Sequence, residues 1–217
     1  MTPKRFRPGK IVCVGRNYRE HARELGNEVP KDPLIFLKPP SSVVWESDAI
    51  ELPPESQQVD YEGEIGIVVG RKMRGVSEDT AAMGIRGVIA VNDVTARDLQ
   101  KSDGQWTRAK GFDTFCPLGE ESSSVPDLST LSVITRVNGA VRQTGSTSEM
   151  VFSIPFLLAY ISRIMTLEPG DLVATGTPSG VGALAPGDVV EIEIPGVSRV
   201  SNPVRGTVSA PLYESSA

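Results

Sequence analysis

A chain of 217 residues, 39% hydrophobic and 23% charged, is long enough to bury a sizeable core and suits one large domain or one domain with a small appendage. Its formal net charge of −5, without a Lys/Arg run, argues against nucleic acid as a partner, because nothing in it would displace counterions from phosphate. The longest apolar stretch, Ile154 to Ile161, is too short to cross a bilayer, and the basic N-terminal residues 1–10 precede no long apolar core, so neither a membrane partner nor a secretory signal is expected. Cys13 and Cys116 form no CxxC pair and read as buried, reduced thiols of a cytoplasmic protein.

In chain order, residues 10–15 (Lys-Ile-Val-Cys-Val-Gly) read as a short buried strand. Asn17 resembles a helix N-cap with Glu20 three residues on, which predicts a short helix over 18–25 stopped by Gly26. Residues 26–40 read as loop around one strand, Leu34 to Leu37. Val59–Val69 alternates and then runs apolar, so one strand is predicted there, and another at Val88–Val94. Ser132–Val137 and Val141–Gln143 flank Asn138-Gly139, a hairpin signal because both turn residues tolerate positive φ. A helix over about 153–165 has Ser153 as its cap and Pro155 in its first turn, where a missing N–H does no harm. Strands follow at Leu172–Ala174, Val189–Ile194 and Val204–Ser209, parted by Pro-Gly-Asp turns at 169–171 and 186–188, and the tail from Tyr213 to Ala217 reads as frayed. Many strands, few helices and no regular βαβ alternation predict a β-rich α+β fold.

Several residues could carry chemistry, and each has an ordinary reading beside it. His21, the only histidine, stands three residues before Glu24; on a helix the two share a face, so the carboxylate could orient the ring as a general base. The ordinary reading is a solvated pair on a surface helix. Glu62 and Glu64, alternate residues of a strand, would project from one face, and with a third carboxylate would make an all-oxygen site suited to Mg²⁺, Mn²⁺ or Ca²⁺. Glu191 and Glu193 have the same spacing on what reads as the wet face of an amphipathic strand, so spacing does not separate ligands from solvated carboxylates. Gly63 and Gly66 beside the first pair would permit close backbone approach. Asp93 ends an apolar strand, either capping the next turn or meeting a metal. Lys110 by itself reads as an ordinary surface lysine. The glycine-rich stretch Thr175-Gly-Thr-Pro-Ser-Gly-Val-Gly182 is neither a P-loop nor a dinucleotide fingerprint, but could present N–H groups and hydroxyls to a carboxylate.

The ordered set is more specific than any member. Gly15-Arg-Asn-Tyr with His21-Ala-Arg-Glu24, Tyr61-Glu-Gly-Glu64, Asn92-Asp-Val-Thr-Ala-Arg-Asp-Leu-Gln100, Lys110-Gly-Phe-Asp-Thr-Phe, Val137-Asn-Gly with Arg142-Gln, and the glycine-rich loop resemble the fumarylacetoacetate hydrolase superfamily, in its small acylpyruvase and oxaloacetate decarboxylase branch, over roughly residues 10 to 208. The resemblance implies a mixed β-roll and a homodimer. It implies one catalytic domain over 1–217, with 1–50 as an N-terminal segment carrying a lid helix. It further implies Mg²⁺ or Mn²⁺ on Glu62, Glu64 and Asp93, a water-activating dyad of His21 and Glu24, and substrate contacts from Gln100, Lys110 and Thr177. The expected activity is cleavage of a C–C bond in a 3-acylpyruvate, of acetylpyruvate or fumarylpyruvate type, to pyruvate and a carboxylic acid. Oxaloacetate decarboxylation or 2-oxo acid tautomerisation on the same site is the alternative; a non-catalytic metabolite-binding relic is the rival from another class. Glu120, where the family commonly has Pro, and the stretch Lys101–Thr107 around Trp106 depart from the family pattern, and the second departure bears on substrate identity.

Overall fold

A computed structural model describes residues 7–24, 26 and 28–206. In chain order the elements are β1 (Ile11–Gly15), α1 (Arg19–Glu24), β2 (Leu34–Lys38), β3 (Val43–Val44), β4 (Ile50–Glu51), β5 (Val59–Tyr61), β6 (Gly63–Val69), α2 (Glu78–Met83), β7 (Ile85–Asn92), β8 (Thr95–Ala96), α3 (Arg97–Ser102), α4 (Thr107–Gly111) and β9 (Cys116–Pro117). They continue as β10 (Ser132–Val137), β11 (Ala140–Ser146), α5 (Ile154–Ile164), β12 (Leu172–Ala174), β13 (Gly182–Ala183), β14 (Val189–Ile194) and β15 (Ser198–Arg205).

Two five-stranded sheets dominate, in the orders β2-β1-β12-β6-β7 and β11-β10-β14-β15-β4. Each is mixed: β1 runs parallel to β12 and β15 parallel to β4, and the other neighbours are antiparallel. The result is the β-rich α+β fold expected. β6 and β7 lie against β10, β14 and β15, so β6 is buried on both faces. Ile65, Ile67 and Val69 join the main core with Val133, Ile192 and Val200. Val68 points the other way, among Ile11, Cys13, Ile89 and Leu172. Two-sided burial accounts for its near-continuous apolar run. Burial pushes up the pKa of both free thiols, Cys116 to about 12, so neither is a nucleophile at neutral pH.

Local signals held where one element decided them. Asn138 and Gly139 take positive φ and join β10 to β11. The Ser153 hydroxyl caps α5 by accepting from Phe156 N, with Pro155 in the first turn. Where tertiary partners decided, the elements moved. The strand expected over Val59–Val69 breaks at Glu62, whose N–H donates to Asn92 Oδ1 at 3.0 Å and whose carbonyl accepts from Asp93 N at 2.8 Å. β5 therefore leaves to pair with β13 and β8, while β6 pairs with β7 and β12. Asn17 does not cap α1: its Nδ2 donates to the carbonyls of Phe152 and Thr175, and its Oδ1 accepts from Phe152 N, so it ties the end of β1 to the segment before α5. β7 begins earlier than expected, at Ile85, and stops at Asn92. The last strand starts earlier than expected, at Ser198; its buried face alternates Ser198 and Asn202 with Val200 and Val204, and the two polar members hid its first half. Residues 207–209 of the expected strand and the tail at 213–217 lie outside the described residues. Among the described residues, no helix is long and apolar enough to cross a membrane.

Candidate metal centre and active site

The break at Glu62 builds the site. Glu62 stands between β5 and β6, Glu64 is in β6, and Asp93 follows the end of β7. Gly63 pairs with Asn92, so the two chain segments bring all three carboxylates together. One oxygen from each lies within 4.8 Å of the others, and all three residues are buried. Glu62 and Glu64 reach the same cavity, as their spacing suggested, and the bend together with β7 brings Asp93 to them. Gly63 permits it: a Cβ there would sit 2.0 Å from Thr135 Oγ1.

Three buried cations surround the cluster. Lys110, from α4, donates to Glu62 Oε2 at 2.8 Å and Asp93 Oδ2 at 2.6 Å. Lys38, at the end of β2, donates to Asp93 Oδ1 at 2.7 Å and to the carbonyl of Val94. Arg97, opening α3, bonds Glu62 through Nη2, Asp60 Oδ2 through Nε at 2.8 Å, and Gln100 Oε1 through Nη1 at 2.6 Å. Buried ion pairs persist only when they are well paired, and these are.

Glu64 differs from its neighbours. Its Oε2 accepts from Gly176 N at 2.8 Å, and among the described residues no lysine or arginine donates to it. Burial, then the charges of Asp93 and Glu62, push its carboxyl well above the ordinary carboxylate range. Burial also pushes Glu62 up, but Lys110 and Arg97 outweigh it and hold that carboxyl well below the ordinary range. For Lys110, burial opposes the charge, yet Asp93 and Glu62 raise it above an ordinary lysine.

These residues fit a hard divalent cation. The donor set is all oxygen, which suits Mg²⁺ or Mn²⁺ better than a thiophilic metal. Glu64 is a buried carboxylate in want of a cation, and four buried carboxylates (Asp60, Glu62, Glu64, Asp93) face only three buried cations (Lys38, Arg97, Lys110). With all four ionised that count is −1, and a divalent ion that displaces the Glu64 proton would bring it to +1 and make the cavity attractive to an anion.

The remaining candidates gather at the same cavity, of about 50 Å³, lined by His21, Gln100, Lys110 and Thr177 with the three carboxylates. His21 is buried in α1, and its Nδ1 lies 3.3 Å from Glu24 Oε2. Glu24 is held in turn by Gly180 N, 3.0 Å from Oε1. Thr177 lines the cavity, but its hydroxyl donates to the Gly63 carbonyl at 2.9 Å and accepts from the Gln143 side-chain Nε2, so it is committed to partners within the protein. The glycine-rich loop does present N–H groups to carboxylates, those of Glu64 and Glu24.

Lys38, Asp60, Asn92 and Gln143 were not singled out by sequence as site residues, and Arg97 only as a neighbour of Gln100. For Lys38 the available signal was a lysine closing the apolar run Leu-Ile-Phe-Leu. Gln143 lies in β11 yet accepts from Gly63 N at 3.0 Å, a contact visible only once two sheets are packed. Glu191 and Glu193 take the other course: both are half-exposed and pair with Arg136 at 2.8 and 2.6 Å.

The chain is 45% identical over 207 residues to a protein of Arabidopsis thaliana named oxaloacetate tautomerase FAHD1, mitochondrial, covering 92% of this chain and 93% of that one. It is 45% identical over 195 residues to a Dictyostelium discoideum protein named oxaloacetate decarboxylase, mitochondrial, covering 87% and 89%. The crystal structure of 2-hydroxyhepta-2,4-diene-1,7-dioate isomerase from Mycobacterium marinum superposes with a TM-score of 0.86 at 46% identity, over 94% of this chain and 77% of that one. The family model for the fumarylacetoacetate (FAA) hydrolase C-terminal region matches residues 10–205. The chain therefore belongs to the fumarylacetoacetate hydrolase family.

Proposed function

We propose that this chain is a divalent-metal-dependent enzyme that enolises a compact 2-oxo acid, with oxaloacetate as the substrate to test first, acting as tautomerase and decarboxylase. The observation that carries the reading is the meeting of Glu62, Glu64 and Asp93 with Lys110 and the His21–Glu24 pair at one small cavity. The names of the two relatives support it. Mg²⁺ or Mn²⁺ on the three carboxylates would supply Lewis-acid polarisation of the 2-oxo carbonyl.

The chain's own residues would do the rest. With Nδ1 turned to Glu24, His21 keeps Nε2 for the substrate and moves a proton between C3 and the 2-oxo oxygen. Lys110 brings a fixed positive charge to the oxygen where negative charge develops. Arg97 holds Glu62 and Gln100 in place. In decarboxylation the C3–C4 bond breaks, CO₂ leaves, and C3 takes a proton to give pyruvate; that route needs no water.

A second reading, hydrolysis of a 3-acylpyruvate, is favoured by the Glu24 carboxylate, which Gly180 N fixes so that His21 is oriented as a base. There His21 would take a proton from water, hydroxide would add to the distal acyl carbon, and the C–C bond would break to release a carboxylic acid and the enolate of pyruvate. Oxaloacetate, acetylpyruvate and fumarylpyruvate assayed side by side, with Mg²⁺, Mn²⁺ or EDTA, separate the two readings. Faster enol–keto exchange and pyruvate formation from oxaloacetate with metal support the first. His21→Ala is expected to abolish hydrolysis and tautomerisation while lowering decarboxylation less. No turnover of any of the three with metal present would leave a metabolite-binding protein.

A further inference from the structure

Behind the small cavity lies a much larger one. The site cavity holds about 50 Å³, space for a few waters. Along β2 and α4 runs an open surface groove of about 780 Å³, lined mainly by apolar side chains such as Ile35, Leu37, Pro39 and Phe112, with Lys10 and Arg108 among its polar members. Among the described residues only Phe36 and Trp106 line both.

These two rings are the wall between the spaces. They meet edge to face, with centroids 5.3 Å apart and planes at 72°. The indole is also pressed against the end of β1, where a Cβ on Gly15 would lie 3.1 Å from Trp106 Cζ3. On the Phe36 side the Lys110 ammonium sits 4.9 Å from the ring centroid. The Trp106 carbonyl accepts from Lys110 N at 3.0 Å, so one short turn carries both the wall and the cation of the site.

We propose that Trp106 is a specificity-determining residue: with Phe36 it closes off a latent acyl-chain subsite and limits the enzyme to compact 2-oxo acids. The inference rests on the reading of the cavity as a 2-oxo acid site. A substrate held at the carboxylate cluster has its distal end stopped by the rings. With the indole removed, a straight acyl chain passes between β2 and α4 into the groove, whose apolar lining offers it favourable burial. The discrimination is steric, and a single methylene in an apolar pocket alters selectivity by about 10–200-fold.

The test uses two chain lengths and two readouts with the Mg²⁺-loaded protein. The first is kcat/KM for acetylpyruvate against a straight-chain octanoylpyruvate. The second needs no turnover: calorimetric binding of oxamate against N-hexyloxamate, unreactive analogues that keep the 2-oxo acid end. In Trp106→Ala the long-to-short ratio is expected to rise at least tenfold in the binding readout, and in the kinetic one where the wild type turns over acetylpyruvate. Trp106→Leu, smaller than the indole but still apolar, carries the same test if the alanine variant does not melt cooperatively. The inference is overturned if the variant binds oxamate and its ratio stays within twofold of wild type. It is equally overturned if both chain lengths gain alike, if wild type already takes the long chain as well as the short, or if a second copy of the chain covers the groove and the gain is absent. A wild type that binds no oxamate sinks the 2-oxo acid reading and this inference with it; oxamate binding without a chain-length gain sinks the inference alone.

Discussion

Two Glu-x-Glu pairs, two residues apart in each case, end in opposite circumstances. Glu62 and Glu64 are buried beside Asp93, Lys110 and Arg97; Glu191 and Glu193 form a half-exposed ladder with Arg136 and Arg199. The difference lies in what surrounds each pair. β14 runs straight through Glu191 and Glu193, whose partners Arg136 and Arg199 come from its antiparallel neighbours. The chain instead breaks at Glu62, the bend is held by Asn92 and Asp93, and glycine at 63 lets a second sheet close over it. Spacing fixes which way a side chain leaves the backbone, and packing then decides whether water or a buried cation meets it.

The largest effect expected from breaking this contrast is at Glu62. Glu62→Gln leaves Lys110 and Arg97 facing a neutral amide in a buried place, and unpairing a buried ion costs about 3–5 kcal/mol. Thermal unfolding should show it, and metal-dependent activity should fall by about 10²–10³-fold or more, the scale of losing one preorganised electrostatic contact to a transition state. A variant that melts like wild type would mean that the buried pairs are not formed as described.

Gly63→Ala comes next. Its Cβ would stand 2.0 Å from Thr135 Oγ1 and 3.0 Å from Ile192 Cδ1, so these side chains, and the sheet that carries them, must give way. Overpacking of this kind costs about 1–3 kcal/mol. Because Gly63 N and O are held by Gln143 and Thr177, the displacement reaches the carboxylates on both sides. Weaker metal binding by calorimetry, in a protein that still folds, is the expected result. Unchanged metal affinity would show that the close approach at 63 does not position the cluster.

Much of this was legible in the sequence. Local signals located the β10–β11 hairpin, α5 and its Ser153 cap, and β12, because each is decided within a few residues. The candidate site residues were picked out as an ordered set, and the structure gathers His21, Glu62, Glu64, Asp93, Gln100, Lys110 and Thr177 at one cavity, with Glu24 reaching it through His21. The reasons they meet were not legible. The turn at Glu62 follows from Asn92, thirty residues away in sequence, and carries no proline or Asn-Gly signal of its own. Lys38 is buried because Asp93 receives it, Asn17 because two carbonyls across the fold need its amide, and the start of β15 was hidden by the buried polar side chains of Ser198 and Asn202. Polar residues whose partners are distant look like surface until both ends are in place.

The contrast sharpens within the first pair, because Glu62 and Glu64 are shifted in opposite directions. Glu64 has its carboxyl pushed up by burial, Asp93 and Glu62, so its ionisation opposes folding of the metal-free protein. That stability is fully present below the ordinary value of 4.5 and is lost as pH rises through the raised folded value. Glu64→Gln keeps an acceptor for Gly176 N without the charge. It should therefore melt higher than EDTA-treated wild type near neutral pH, by at least about 2 °C, the scale of about 1 kcal/mol in a chain of this size. The gap should close in acid. Mg²⁺ should raise the melting temperature of wild type only, and since metal must displace the Glu64 proton, wild-type affinity should increase with pH over the same window. A glutamine variant less stable than metal-free wild type at neutral pH would contradict the uncompensated charge at Glu64.

The smallest effect belongs to the other pair. Glu191→Gln and Glu193→Gln each remove one partner of Arg136 where water can take its place. Exposed ion pairs contribute little and are screened by salt, so each single variant should melt within about 2 °C of wild type, with any difference shrinking at high ionic strength. Activity and metal affinity should be unaffected, since neither residue lines the site cavity. The double variant is the stricter form of the test. It leaves Arg136 beside two neutral amides, the same chemical change that is costly around Glu62, so a large loss there would show that burial is not what separates the two Glu-x-Glu pairs. A near-silent double variant beside a crippled Glu62→Gln would show that the surroundings, and not the spacing, make one pair a candidate metal site and the other a solvated ladder.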